Sequence, residues 1–149
     1  MRASESVRVP APPAVVFPFI ARLDAYPGWL PLVHAAEPVT DQPKPSWLVE
    51  LRTRVGPFAR SKRLTMQRVE IRHDHFVLFE RAETDGREHA RWALRAELQP
   101  IGAAETELTM HLAYDGALWT GGLLEKVLDE EIRRGRAGLV ELVSAERTR

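Results

Sequence analysis

The C-terminal segment of the chain carries the pattern that most restricts its fold. Apolar side chains recur there at Leu124, Val127, Leu128, Ile132, Leu139, Leu142 and Val143. Their spacing follows one face of a 3.6-residue period, with charged residues over much of the remainder, and predicts a long amphipathic helix. No earlier segment predicts another long helix, so any sheet that the chain forms has to bury its apolar face against this one.

The segment before this helix, from residue 32 to residue 115, has the alternating polar and apolar pattern of half-buried strands. It predicts six strands, at residues 33–39, 47–55, 59–72, 76–82, 90–98 and 106–114. Turn-forming residues separate them, and Asp85-Gly86 is a strong hairpin signal. Val69 and Ile71 fall out of phase with Leu64 and Met66, which predicts a β-bulge or a switch of face within that strand.

The N-terminal segment predicts one further strand and two short helices. Residues 5–9 alternate as a half-buried strand does. Pro12 and Pro13 then introduce a short helix, because the first helical turn tolerates proline. A second helical turn follows near residues 23–29, where prolines and a glycine forbid a longer helix and predict a compact aromatic corner.

The order of these elements predicts an antiparallel sheet that curves around the last helix. Because side chains cannot fill the whole concave space between such a sheet and one helix, we expect a cavity between them. The length of 149 residues predicts one domain over residues 1–149.

Charge and composition exclude several classes of function. Twenty-one lysines and arginines balance twenty-one aspartates and glutamates, which argues against a strongly basic nucleic-acid binder and against a polybasic membrane-surface protein. The chain has no cysteine, which excludes disulfides, thiol nucleophiles and cysteine-ligated metals. Its best apolar run, at residues 9–21, is too short and too rich in proline to form a transmembrane helix. We therefore expect a soluble cytoplasmic protein.

The sequence carries no familiar catalytic or cofactor-binding signature. It contains no G-x-S-x-G, Walker, G-x-G-x-x-G or H-E-x-x-H motif, and we predict no bound cofactor. His73-Asp74-His75 is the one close histidine pair. Because no further ligands lie nearby in the sequence, we interpret it as a solvated turn and predict no metal site.

Basic residues cluster in two of the predicted strands. They are Arg52, Arg54, Arg60, Lys62, Arg63, Arg68 and Arg72. One interpretation is a surface for an anionic partner such as RNA, a phospholipid or a carboxylate ligand. The interpretation that we favour is the solvated face of two neighbouring strands, where cationic side chains also discourage edge pairing. One of these arginines could still point into the cavity.

Several segments together carry a family resemblance over essentially the whole chain. They are the run Ala11-Pro-Pro-Ala-Val-Val-Phe-Pro-Phe-Ile20, the segment Tyr26-Pro-Gly-Trp29, the long strands and the Asp115-Gly116 break before the last helix. These features resemble the helix-grip superfamily, which includes START lipid-transfer domains, the birch pollen allergen, polyketide cyclase/dehydrase-like proteins and coenzyme Q-binding proteins. The resemblance implies an α+β helix-grip fold. In this fold a curved antiparallel sheet of about seven strands wraps around the long C-terminal helix, and two short helices follow strand 1.

Relatives in this superfamily hold hydrophobic ligands in the concave space, and the resemblance thereby implies a ligand site. The candidate cavity-lining residues are Trp47, Val49, Leu51, Met66, Phe79, Trp92, Leu94, Met110, Tyr114, Leu124 and Leu128. The alternative is that they form an ordinary filled core. Tyr114 is the best candidate for orienting a ligand, because a buried phenol needs a hydrogen-bond partner.

Three hypotheses for function follow. The first is a protein that binds a hydrophobic small molecule, such as a lipid, a quinone or a polyketide-like aromatic, with no specific nucleic-acid partner. The second is a polyketide cyclase or dehydratase, which would need an acid–base pair inside the cavity. The third is a regulator that associates with ribosomes or proteins through the basic strands. The sequence supplies no obvious acid–base pair on the inward faces, and this favours the first hypothesis.

Two glycines interrupt the predicted helix within one turn, at Gly135 and Gly138. Each costs about 1 kcal/mol relative to alanine in a helix interior, so the pair indicates a packing requirement. Gly135 lies on the apolar face. We expect the sheet or the cavity to approach the helix backbone there.

Overall fold

The computed structural model describes residues 2–55, 57–83, 85–115 and 123–147, with only the backbone described at residues 54, 55, 58, 123–125 and 147. The side chain of Leu124, a candidate cavity-lining residue, lies outside this description. The elements follow the predicted order. They are β1 Arg2–Val9, α1 Pro13–Val16, a first 3₁₀ helix Phe17–Phe19, a second 3₁₀ helix Leu23–Gly28, β2 Val33–Val39, β3 Ser46–Val55, β4 Phe58–Arg72, β5 Phe76–Arg81, β6 Trp92–Ile101, β7 Glu105–Tyr114 and α2 Leu123–Arg147.

The strands form one seven-stranded antiparallel sheet in the order β1-β7-β6-β5-β4-β3-β2. This curved sheet, the long C-terminal helix and the short helices after β1 confirm the predicted helix-grip fold. β1 and β2 are at opposite edges of the sheet, so the segment between them has to cross from one edge to the other. We call this segment, residues 10–32, the crossing segment. That crossing brings the short helices beside the concave face.

The irregularity predicted in the long strand is a β-bulge at Val69. Arg68 pairs with Phe79 and Glu70 pairs with Leu78, so Val69 is the extra residue on β4. A second irregularity, which the sequence did not predict, lies in β2 between Val33 and Ala35. Each bulge changes the face that the following residues present.

The two most regular strands alternate as predicted. Their buried concave-face residues are Trp92, Leu94, Ala96 and Leu98 on β6 and Thr106, Leu108, Met110, Leu112 and Tyr114 on β7. The apolar face of α2 completes the core with Val127, Leu128, Ile132, Leu139 and Val143. No helix in the described part of the chain is both long enough and apolar enough to span a lipid bilayer.

The close approach predicted at Gly135 exists, but its partner is not the sheet. A Cβ atom at position 135 would lie 2.8 Å from the Trp29 carbonyl oxygen and 3.3 Å from Leu30 Cδ1. Trp29 follows the second 3₁₀ helix and is held by a hydrogen bond of 2.9 Å from its Nε1 to the Phe19 carbonyl oxygen. The crossing segment therefore lies directly against the α2 backbone, which explains why a glycine occupies position 135.

Candidate ligand-binding site

A small apolar cavity, the inner cavity, lies on the concave side of the sheet. Its lining residues come from β3, β4, β6, β7 and the crossing segment with the start of β2. They are Leu23, Leu30, Leu32, Val33, Val49, Leu51, Leu64, Met66, Trp92, Leu94 and Leu112. Leu51 is half-buried, and the others are buried. Between these side chains the cavity has a volume of about 30 Å³.

The inner cavity includes five of the candidate residues named from the sequence, namely Val49, Leu51, Met66, Trp92 and Leu94. Four others, Trp47, Phe79, Met110 and Leu128, are buried in the core without lining this cavity. Tyr114 is also buried and packs on Trp92, with 4.5 Å between the ring centroids. The phenol therefore belongs to an aromatic pair beside the cavity.

Six lining residues were not among the candidates. They are Leu23, Leu30, Leu32, Val33, Leu64 and Leu112. Leu64 and Leu112 alternate in phase with Met66 and Met110, so the strand pattern contains the signal for them. The rest belong to the crossing segment or its junction with β2, and only the edge-to-edge connection from β1 to β2 brings them to the cavity.

The inner cavity is much smaller than a ligand. Its volume is about that of one water molecule, whereas pockets for drug-sized molecules measure about 300–1,000 Å³. The described side chains therefore almost fill the space that they enclose. A hydrophobic ligand would have to displace some of them to enter.

A second depression, which we call the vestibule, is lined in part by sequence neighbours of the inner cavity residues. It measures about 400 Å³ and is lined by Pro31, Arg52, Thr53, Val127, Glu130, Glu131 and Arg134. Thr53 lies on the same face of β3 as Leu51, and Pro31 lies between the cavity-lining Leu30 and Leu32. The vestibule is thus a polar space next to an apolar one.

Glu131 is the most buried acidic side chain of the vestibule, with 10% of the side chain exposed. Its Oε2 atom has no hydrogen-bond partner among the described residues, and Arg134 Nη1 lies 4.0 Å from its Oε1 atom. Burial raises the pKa of the Glu131 carboxyl above its ordinary value of 4.5, and Arg134 and the Leu32 backbone offset only part of that effect. The sequence held a signal for this residue, because position 131 lies between Val127 and Gly135 on the apolar face of α2.

Comparison of the sequence with known families gives a match over almost the whole chain. The profile of the family described as "Polyketide cyclase / dehydrase and lipid transport" matches residues 1–144. The chain belongs to this family. No curated protein matches the chain in sequence.

Solved structures similar to this family member share its fold at low sequence identity. Protein TTHA0849 from Thermus thermophilus is 20% identical, with a TM-score of 0.72, over 98% of this chain and 99% of that one. A START superfamily protein from Mycobacterium smegmatis is 18% identical, with a TM-score of 0.71, over 97% of each chain. The Zhui aromatase/cyclase from a Streptomyces species is 14% identical, with a TM-score of 0.59, over 98% of this chain and 92% of that one.

This member of the polyketide cyclase/dehydrase and lipid transport family has an arginine of the basic strands, Arg68, that faces the concave side of the sheet. Its Nη1 donates a hydrogen bond of 2.8 Å to the Ala21 carbonyl oxygen, and its guanidinium lies 5.9 Å from the centre of the Trp47 ring. The Arg22 guanidinium lies 5.8 Å from the same ring. Burial and the nearby Arg22 lower the pKa of Arg68. The Arg68 side chain thus connects the crossing segment to the sheet through a hydrogen bond.

Other members of the basic stretch have an acidic partner on the sheet. Glu50 lies 3.9 Å from Arg52, 3.7 Å from Arg63 and 3.7 Å from His34. The two arginine–glutamate pairs, whose arginines are exposed, contribute little stability. They do reduce the positive potential of this surface, in agreement with the solvated-face interpretation.

Asp24 joins the crossing segment to Trp47 and makes a pH-dependent contribution to stability. It accepts hydrogen bonds of 2.8 Å from Trp47 Nε1 and 3.1 Å from Arg22 Nε. Burial acts to raise the pKa of the Asp24 carboxyl, but the hydrogen bonds from Arg22 and Trp47 outweigh it and hold that pKa below its ordinary value of 3.8. The ionised carboxylate therefore stabilises the fold above the unfolded pKa, and this contribution is lost as the pH falls through the folded pKa.

We expect Asp24→Asn to lower the free energy of unfolding at pH 7 by about 0.5–1 kcal/mol, since the amide oxygen can still accept from Trp47 but the charge is lost. The difference from wild type should shrink below pH 4, as measured by urea unfolding across pH 2.5–7. Asp24→Ala should cost more, about 1–3 kcal/mol, because the buried indole N–H then loses its acceptor. A pH-independent difference between wild type and Asp24→Asn would contradict this assignment.

Proposed function

We propose that this chain binds a hydrophobic small molecule, such as a lipid, a quinone or a polyketide-like aromatic, between the concave face of the sheet and α2. The observation that carries the proposal is the inner cavity, whose described lining residues are all apolar and come from the sheet and the crossing segment, beside α2. Membership of a polyketide cyclase/dehydrase and lipid transport family supports it. Burial of the ligand's apolar surface would supply affinity at about 25 cal/mol per Å².

One feature favours ligand entry through the vestibule, and a second favours enlargement of the inner cavity. Leu51, a half-buried lining residue, lies on β3 next to the vestibule residue Thr53 along the same face. Met66 also lines the inner cavity, and methionine side chains adapt their shape readily because they are unbranched and have several rotatable bonds. Rotation of these two side chains would enlarge the cavity without unpairing the sheet.

An enzymatic function of the cyclase or dehydratase type is the second candidate. The family description and the likeness to the Zhui aromatase/cyclase favour it. Such chemistry needs a proton donor and acceptor at the reacting carbon atoms. The lining residues of the inner cavity in the described part of the chain have no acidic or basic side chain, and this supports binding as the first proposal.

Trp92 is the natural reporter of ligand entry, because it lines the inner cavity whereas Trp29 and Trp47 are buried elsewhere. We expect a soluble naphthoquinone to quench the intrinsic tryptophan fluorescence saturably. Trp92→Phe should abolish most of that quenching, and Trp29→Phe and Trp47→Phe should retain it. Fluorescence titration of the four proteins, each shown to be folded by circular dichroism, measures this directly.

A filled core predicts a different result in the same titration. No member of a panel of quinones, fatty acids and flavonoids would then quench saturably, and acrylamide would not reach Trp92. These two negative results on folded protein would contradict the proposal. Saturable quenching that Trp92→Phe leaves unchanged would place the ligand away from the inner cavity and would contradict it as well.

A further inference from the structure

We infer that Glu131 binds the hydroxyl group of a hydrophobic alcohol or phenol, so that the vestibule selects neutral hydroxyl-bearing ligands over carboxylates. This inference rests on the proposed function and names the class of ligand. The apolar body of the ligand would occupy the enlarged inner cavity. Its hydroxyl would lie in the vestibule, within hydrogen-bond distance of the Glu131 carboxyl.

The first argument is the unsatisfied hydrogen-bonding capacity of Glu131. Nine-tenths of its side chain is buried, and Oε2 lacks a hydrogen-bond partner among the described residues. A buried polar atom without a partner costs about 1–3 kcal/mol, so such atoms are rare in folded proteins. This oxygen has almost no accessible surface, so the carboxyl has to turn towards the vestibule before a ligand hydroxyl can donate to it. The penalty is then removed only in the bound state.

The second argument is the position of Glu131 between a polar and an apolar space. It lies one helical turn from Val127, and both residues line the vestibule together with Pro31 and the buried Thr53. Val127 and Pro31 provide apolar contacts for the end of a ligand body. A ligand that extends from the Leu51 side of the inner cavity therefore meets a carboxyl group where its apolar surface ends.

The third argument is the negative charge of the Glu131 carboxylate itself, which disfavours an anionic ligand group beside it. Glu130 and Glu131 both line the vestibule, and Arg134 is the cation nearest to the Glu131 carboxyl. Arg52 also lines the vestibule, but its guanidinium lies beside Glu50 and its Nε donates to Ser61. A ligand carboxylate would face the Glu131 carboxylate, whereas a hydroxyl can donate to its ionised form and accept from its protonated form.

Three probes that share the naphthalene ring system separate the contributions. Naphthalene tests the apolar cavity alone, 2-naphthol adds a hydroxyl, and 2-naphthoate adds an ionised carboxylate at pH 7. Equilibrium dialysis against the full chain should give 2-naphthol a dissociation constant at least about tenfold lower than naphthalene or 2-naphthoate, the range of one hydrogen bond to a charged group.

Variants at position 131 assign that preference to the carboxyl group. Glu131→Leu should weaken 2-naphthol about tenfold, to the level of naphthalene, and leave naphthalene binding within threefold of wild type. Glu131→Gln should keep most of the 2-naphthol affinity and improve 2-naphthoate binding about tenfold, because the amide removes the negative charge and can donate. Glu141→Gln, which changes an exposed carboxyl of α2 outside the vestibule, is the matched control and should leave the preference for 2-naphthol over naphthalene in place.

The outcomes separate this inference from the proposed function. If naphthalene binds but neither the hydroxyl nor position 131 changes affinity, the inference is wrong and the proposed function stands. If Glu131→Leu weakens naphthalene and 2-naphthol equally, Glu131 acts only on the structure and the inference is also overturned. If none of the probes binds to the folded wild-type protein, both fail. Both variants at position 131 should be folded at pH 7, because the Glu131 side chain that they replace has an oxygen without a hydrogen-bond partner. Thermal unfolding measures this.

Discussion

Gly135→Leu is expected to lower the free energy of unfolding by about 3 kcal/mol, at the upper end of the range for overpacked sites. A Cβ atom at this position would lie 2.8 Å from the Trp29 carbonyl oxygen and 3.2 Å from Trp29 Cε3. The carbonyl is backbone, so it cannot rotate away as a side chain could. The gain of about 1 kcal/mol in helix propensity on replacing glycine is smaller than this overlap penalty. Urea unfolding at pH 7 measures the difference.

Two control variants separate the contact from a general effect of substitution on α2. Ala137→Leu places leucine on an exposed position of the same helical turn and should change stability by less than about 0.5 kcal/mol. Gly138→Ala brings a Cβ atom 3.3 Å from Trp29 Cα, and a small shift can relieve that contact. If Gly135→Leu instead melts at a higher temperature than wild type, the crossing segment does not press on the helix at this position.

The sequence predicts the regular parts of the fold because each of them repeats one local pattern. On β6 and β7 the alternation continues without interruption from Trp92 to Leu98 and from Thr106 to Tyr114, so the buried faces are correct. The apolar face of α2 is likewise correct. The phase change at Val69 was visible for the same reason, since a bulge interrupts an otherwise strict period of two.

The crossing segment could not be placed in the same way. Its 3₁₀ helices and prolines give no periodicity, and its position depends on tertiary contacts. Gly135 against Trp29 is one such contact, and Arg68 with the Ala21 carbonyl oxygen is another. The cavity residues Leu23, Leu30 and Leu32 were missed for this reason. The candidates Trp47 and Met110 have the correct inward orientation. The alternating pattern predicts which face of the sheet a residue occupies, but it does not predict the position of that residue along the core.

Leu64→Ala is expected to destabilise the protein by about 2–5 kcal/mol and at the same time to tighten hydrophobic ligand binding. Leu64 is 2% exposed and lines the inner cavity. Its truncation removes buried methyl groups, which accounts for the lower free energy of unfolding. It also adds volume to a cavity of about 30 Å³, so a ligand displaces fewer side chains when it enters. Urea unfolding and equilibrium dialysis with naphthalene measure the two effects on one protein.

Leu108→Ala is the matched control for this prediction, because Leu108 is fully buried on β7 but does not line the inner cavity. It should cost a similar free energy of unfolding and leave naphthalene affinity unchanged or weaker. An increase in affinity for Leu64→Ala alone therefore distinguishes a ligand that occupies the enlarged inner cavity from one that binds any loosened core. If both variants bind naphthalene equally well, or if Leu64→Ala binds it no better than wild type, the ligand does not enter between Leu64, Trp92 and the crossing segment.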